Sequence, residues 1–245
     1  MLREGQTVIG TELTIAHPDV AEAIGRLGYD FLMIDTEHAP LDPGMVQNLL
    51  QAMSASESTS IARVTWNNMV LIKRLLDVGI SGIVVPWVNN KEEAMSAVRS
   101  MRYPPLGVRG FGPRRAAMWD PDYVRTANEE LFLGVQIETQ SAVDNIDEIL
   151  SVEGIDAALI GPADLSLSMG ILGKFDDQGF IASLERVIES CRKHNVSPGM
   201  LGADDVGKRA RQGFRLINRR NDIGLLREEA EGSLAEARRA VADIA

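Results

Sequence analysis

The chain has 245 residues, 24% of them charged and 45% apolar, and a formal net charge of −10. Its length suits one α/β barrel, and dispersed acidic charge with no basic run argues against a nucleic-acid or anionic-membrane partner. A start with no continuous apolar region, together with a single cysteine, Cys191, points to a cytoplasmic protein without disulfides that works on small molecules.

Short apolar runs bounded by glycine, proline or polar clusters read as strands. In chain order they are VIGTEL (8–13), FLMID (31–35), SIARV (60–64), GIVVP (82–86), LGVQIE (133–138), AALIG (157–161), PGML (198–201) and FRLIN (214–218). Helical periodicity falls between them, over 19–27, 43–56, 70–78, 91–99, 143–150, 180–193 and 204–212, with a last helix over 225–244. Parallel strands need crossover connections, so this alternation predicts a (β/α)₈ TIM barrel, a single domain over 1–245. A doubly wound open sheet is the competing architecture. Both place chemistry at the carboxyl ends of the strands.

Several polar residues fall at those ends: Asp35 and His38 after the second strand, Arg63 on the third, Glu138 on the fifth and Asp164 after the sixth. His38 has the titration range of a base, and Asp35 stands where it could set the imidazole tautomer. A structural histidine fits the same pattern. An arginine within SIARV must find an anion, either a substrate or a core ion-pair partner. Strand alternation puts Gln136 and Glu138 on one face, and GPADLS turns sharply at Gly161 and Pro162 before Ala163 and Asp164. Glu138 and Asp164 from adjacent strands could hold Mg²⁺ or Mn²⁺ with positions left for a chelating substrate. Equally, Glu138 could pair with an arginine while Asp164 caps the next helix.

The region from Met101 to Glu130 is too rich in proline and glycine for a long helix, and a connection of this length suggests a binding loop or lid. Its GVRGFG does not link a strand to a helix, so it is no dinucleotide site. Backbone N–H groups near Gly107 and Gly110 are candidates for a substrate anion, and ordinary turn glycines fit the same pattern. Cys191, His17 and His194 receive no role.

The segments GYDFLMIDTEHAP, IARVTWNNMVLIKRLLDVGISGIVVPWVN, RYPPLGVRGFG, VQIETQSAVDNIDEIL and GPADLSLSMG, in this order, resemble the metal-dependent class II pyruvate aldolases of the HpcH/HpaI aldolase and citrate lyase superfamily. The resemblance implies a barrel assembled as a hexamer, a trimer of dimers, with the last helix exchanged between subunits. It implies Glu138 and Asp164 as ligands of Mg²⁺, Mn²⁺ or Co²⁺, Arg63 as the enolate-stabilising group, and His38 with Asp35 as an acid/base dyad. Asp77 would serve a neighbouring subunit's site, with Gln136, Gly161, Pro162 and Ala163 as substrate contacts. The partners would be pyruvate, or another 2-keto acid, and an aldehyde, with Glu37 hydrogen-bonding in the outer part of the site. A CoA-thioester lyase, a different metal-enolate enzyme and a non-catalytic keto-acid binder are the rival readings. The chain departs from the family pattern after FRLI, where Asn218, Arg219, Arg220 and Asn221 precede Asp222 in place of small residues. If Arg219 and Arg220 stand on the rim, they should favour anionic acceptors; the alternative is that both form exposed or intersubunit salt bridges.

Overall fold

The eight strands close on themselves. In the computed structural model, which describes residues 1–242 and 244 and only the backbone of Arg3, β1 (Val8–Leu13), β2 (Phe31–Asp35), β3 (Thr59–Arg63), β4 (Gly82–Val85), β5 (Phe132–Ile137), β6 (Ala157–Ile160), β7 (Ser197–Met200) and β8 (Leu216–Asn221) pair in parallel, each with the next and β8 with β1. The closed ring confirms the (β/α)₈ barrel and removes the open-sheet alternative. Asp243, inside the helix expected over 225–244, and Ala245, the end of the expected domain, lie outside the described residues.

The helices are α1 (Pro18–Gly25), α2 (Pro43–Ala52), α3 (Met69–Asp77), α4 (Lys91–Met101), α5 (Ala116–Trp119), α6 (Tyr123–Glu130), α7 (Gln140–Asp144), α8 (Ile146–Leu150), α9 (Pro162–Ser168), α10 (Gln178–His194), α11 (Val206–Gln212) and α12 (Asp222–Ala242). Local chemistry starts them. Asp42 accepts from the N–H groups of Gly44 and Met45 (2.7 and 2.9 Å) just before Pro43, and Asn68 and Asp177 cap α3 and α10 in the same way. His17, left without a role by the sequence, caps α1 through Nδ1.

Strand alternation divides the core in two. One set, including Leu32, Ile34, Ile83 and Ile217, packs outward under the helices. The other, including Val8, Phe31, Met33, Ile61, Leu159 and Leu216, fills the barrel. Gly10 is part of this inner packing: a Cβ there would lie 2.4 Å from the Phe31 ring, so any side chain would displace the aromatic at about 1–3 kcal/mol. Towards the mouth the inner layer turns polar, with Asp35, Arg63, Gln136, Glu138 and Asn218 all buried.

The β1–β8 pairing carries an irregularity. Gly10 pairs with Asn218 and Glu12 with Asn221, so two steps on β1 match three on β8.

The segment expected to form a lid lies elsewhere in its own barrel. Helices run back from the mouth, so it leaves α4 and enters β5 at the opposite end. Folded as α5, α6 and loop, it is fastened to α3 by the Arg115 N–H to the Asp77 carbonyl. Gly107 packs tightly on the end of α4, where a Cβ would lie 2.3 Å from the Arg102 carbonyl oxygen.

Candidate active site

Arg63 organises the mouth. It ends β3 directly beside Asp35, its register partner on β2. Its Nε donates to Asp35 Oδ1 at 2.9 Å and its Nη2 lies 2.8 Å from Oδ2, a bidentate pair. Nη2 also lies 3.6 Å from Glu12 Oε1, and Nε 3.3 Å from Glu37 Oε2. Burial opposes the guanidinium charge, but the Asp35 hydrogen bond and the three carboxylates outweigh it and push the arginine pKa up. Burial likewise works against the Asp35 charge and is overcome by Arg63 and the N–H groups of Glu37 and His38, so this carboxyl stays below its usual range. The arginine is permanently cationic and oriented.

The expected Asp35–His38 dyad is drawn differently. Asp35 Oδ1 accepts from the His38 backbone N–H at 3.4 Å, while the histidine Nε2 lies 3.6 Å from Glu37 Oε2. The cause is strand geometry: Asp35 still points into the barrel with β2, whereas His38 stands in the loop with its side chain 65% exposed. Glu37 stands between His38 and Arg63. It links the imidazole to Arg63, and burial, with Asp35 and Asp164 adding to it against the pull of Arg63, lifts its carboxyl to about 7.

Across the mouth, Glu138 follows β5 and is 2% exposed. Its Oε1 accepts from the Trp87 N–H at 2.7 Å, and its Oε2 accepts from Gln136 Nε2. Trp87 holds a left-handed backbone, φ 56°, a costly state for a bulky residue that aims its amide at the carboxylate. Burial raises Glu138 to about 7; these two hydrogen bonds oppose the rise, and Glu37 and Asp164 add to it. Gly161 leaves room for the arrangement, since a Cβ would fall 2.9 Å from Glu138 Oε2 and 3.0 Å from Gln136 Nε2. Pro162, Ala163 and Asp164 then open α9, with Asp164 half-buried in its first turn.

These residues fit a hard divalent cation. Burial, with Glu37 and Asp164 adding to it, disfavours the charge on Glu138, and a cation would relieve that penalty. Among the described residues no three acidic, histidine or cysteine side chains are grouped to hold a metal.

Asp77 stands apart from this cluster, at the end of α3 away from the mouth. Its Oδ1 accepts from the fully buried Arg109 at 2.8 Å, and Arg109 also donates to the Tyr123 hydroxyl and stacks on Tyr103. Of the rim arginines, Arg220 pairs with Glu228 of α12, and Arg219 is exposed.

Three residues of the mouth escape a reading based on strand ends: Glu12, Trp87 and Asn218. Glu12 lies inside an apolar run and Asn218 inside what reads as the end of one; only the inward phase of β1 and β8 reveals them. For Trp87 no sequence signal marks the backbone conformation.

The HpcH/HpaI aldolase/citrate lyase family model matches residues 12–227. This chain belongs to that family. A 4-hydroxy-2-oxo-heptane-1,7-dioate aldolase of Escherichia coli is 42% identical over 208 residues, covering 83% of this chain and 79% of that protein. Two crystal structures superpose closely. An HpcH/HpaI aldolase/citrate lyase family protein from Burkholderia cenocepacia J2315 has a TM-score of 0.91 and 33% identity over 97% of each chain. The HpcH/HpaI aldolase of Desulfitobacterium hafniense DCB-2 has a TM-score of 0.90 and 29% identity, covering 96% of this chain and 94% of that one. The chain is accordingly a carbon–carbon lyase of the HpcH/HpaI family.

Proposed function

We propose that this HpcH/HpaI protein reversibly cleaves 2-keto-4-hydroxy acids to pyruvate and an aldehyde as a metal-dependent class II aldolase. The observation carrying this reading is the Arg63–Asp35 pair, a fixed guanidinium at the barrel mouth within a ring of carboxylates.

Glu138 and Asp164 are the residues that would hold Mg²⁺, Mn²⁺ or Co²⁺, which when bound supplies Lewis acidity towards a 2-keto acid. Gln136 keeps Glu138 in place, and Gly161, Pro162 and Ala163 border the substrate. In cleavage His38 takes the proton of the 4-hydroxyl group, the C3–C4 bond breaks to give the aldehyde, and the bonding pair stays with the pyruvate fragment as its enolate. Arg63 faces the charge gathering on the enolate oxygen with donors whose direction Asp35 has already set. Glu37 restrains the imidazole from the other side. Proton return to the enolate carbon yields pyruvate.

The same reading extends to assembly. The protein is a single-domain cytoplasmic barrel that forms a trimer of dimers, with Asp77 serving a neighbouring subunit. Supporting this, α12 buries only Asp222 while Ile223, Leu226, Leu234 and Val241 are exposed along its 21 residues. No helix among the described residues is long and apolar enough to cross a membrane.

The test incubates metal-loaded protein with pyruvate and a panel of aldehydes while following hydrogen exchange of the pyruvate methyl group in D₂O. Aldol product together with exchange is expected. Absence of both would defeat the reading.

A further inference from the structure

The mouth has a side, where β8 meets β1, that the mechanism above leaves idle. Asn218 is fully buried there, and neither its Oδ1 nor its Nδ2 has a hydrogen-bond partner. Its phase is inward: Leu216, two residues earlier, packs inside the barrel, and the intervening Ile217 packs outside it. On the neighbouring strand Gly10 pairs with Asn218 and contributes no side chain. The next inward residue towards the mouth is Glu12, whose side chain is 15% exposed. Its cation, Arg63, lies 3.6 Å away, beyond hydrogen-bond length, and is shared with Asp35 and Glu37.

A buried amide with no partner is costly, and such a group facing the barrel interior at the mouth marks where something else supplies the bonds. Asn218 offers two donors and an acceptor, and Glu12 offers carboxyl oxygens, a set that complements groups able both to donate and to accept. Hydroxyl groups do both. A carboxylate would instead meet Glu12 with Asp35, Glu37 and Asp222 around it, and an alkyl chain would leave both side chains unpaired. Arg220 does not reverse this balance, because Glu228 engages it.

Resting on the pyruvate aldolase reading, we propose that Glu12 and Asn218 form a hydroxyl-binding subsite for the acceptor half of the substrate, selecting hydroxylated aldehydes over alkyl or carboxylate-bearing ones. Both residues act by binding, away from the carbon–carbon bond itself.

The experiment measures kcat/KM in aldol addition of pyruvate to glyceraldehyde, propanal and succinic semialdehyde, with the full-length, metal-loaded protein. It also follows methyl-proton exchange of pyruvate by the parent protein. A preference for glyceraldehyde over propanal of about tenfold or more is expected, since an unfilled polar site penalises the analogue that lacks the hydroxyl. Asn218→Ala and Glu12→Gln, on separate strands, should each shrink that ratio by about fivefold, mainly through KM for glyceraldehyde. An unchanged ratio in both variants, or a parent protein that favours propanal or succinic semialdehyde, would overturn the subsite. Exchange with no hydroxyl preference removes the subsite alone, whereas absence of exchange removes the pyruvate reading and the subsite with it.

Discussion

Asp35 and Arg63 are register partners on adjacent strands, and their side chains meet through contacts of 2.9 and 2.8 Å with 2% and 8% of the residues exposed. Lysine in place of Arg63 keeps a positive charge but cannot present two parallel donors. Arg63→Lys is therefore expected to fold and to lose about 100-fold or more in pyruvate methyl exchange, the scale of removing one aimed donor from a developing oxyanion. NMR in D₂O measures it, and exchange within threefold of the parent would remove Arg63 from the mechanism.

Metal dependence follows from the carboxylates opposite. Chelation should abolish turnover, and Mg²⁺, Mn²⁺ or Co²⁺ should restore it. Glu138→Gln and Asp164→Asn should each weaken the titrated metal affinity by about tenfold or more. Full turnover by protein shown to be metal-free by elemental analysis would contradict the assignment.

Glu12 makes stability depend on pH. Burial first, then Asp35, Asp222 and Glu37, raise its carboxyl from 4.5 to about 7 against the pull of Arg63. The folded form then binds more protons than the unfolded form between those values, so this group's contribution to stability falls as pH rises from about 4.5 to about 7. Glu12→Gln should flatten that part of the curve and raise Tm relative to the parent at pH 8. Thermal scans from pH 4.5 to 8 in chelator test this, and identical slopes for the two proteins would refute it.

Removing the residues after Leu225 should dissolve the assembly and reduce activity together, because α12 exposes apolar side chains along its length. Light scattering paired with an aldol assay checks the outcome. A fully active monomer would be inconsistent with an exchanged helix.

Much of this architecture is legible in the chain because strand runs and site residues share boundaries. FLMID ends at Asp35 in the sequence pattern and in β2 alike, and Glu138 and Asp164 follow β5 and β6 as that pattern suggests. The β8 boundary is harder to read. The strand continues through Asn218 to Asn221, where the inner face has turned polar and apolar patterning no longer reports pairing. The helices α5, α6 and α9 lie in or beside stretches rich in proline and glycine, which mask their periodicity. His38 illustrates the limit at the site: its spacing from Asp35 is visible, but which way each side chain turns is set by where β2 stops.

The mismatch between β1 and β8 separates two properties that a regular barrel ties together. In a uniform ladder, adding or deleting one residue reverses the facing of everything beyond it and breaks the pairing on both flanks. Here the additional β8 residue is absorbed at one seam while the other seven strand pairs keep regular register. The seam therefore behaves as an adjustable joint. Single-residue insertions or deletions at Arg219 or Arg220 would exchange which side chains look into the cavity, letting a lineage or an engineer retune the lining by a length change of one codon.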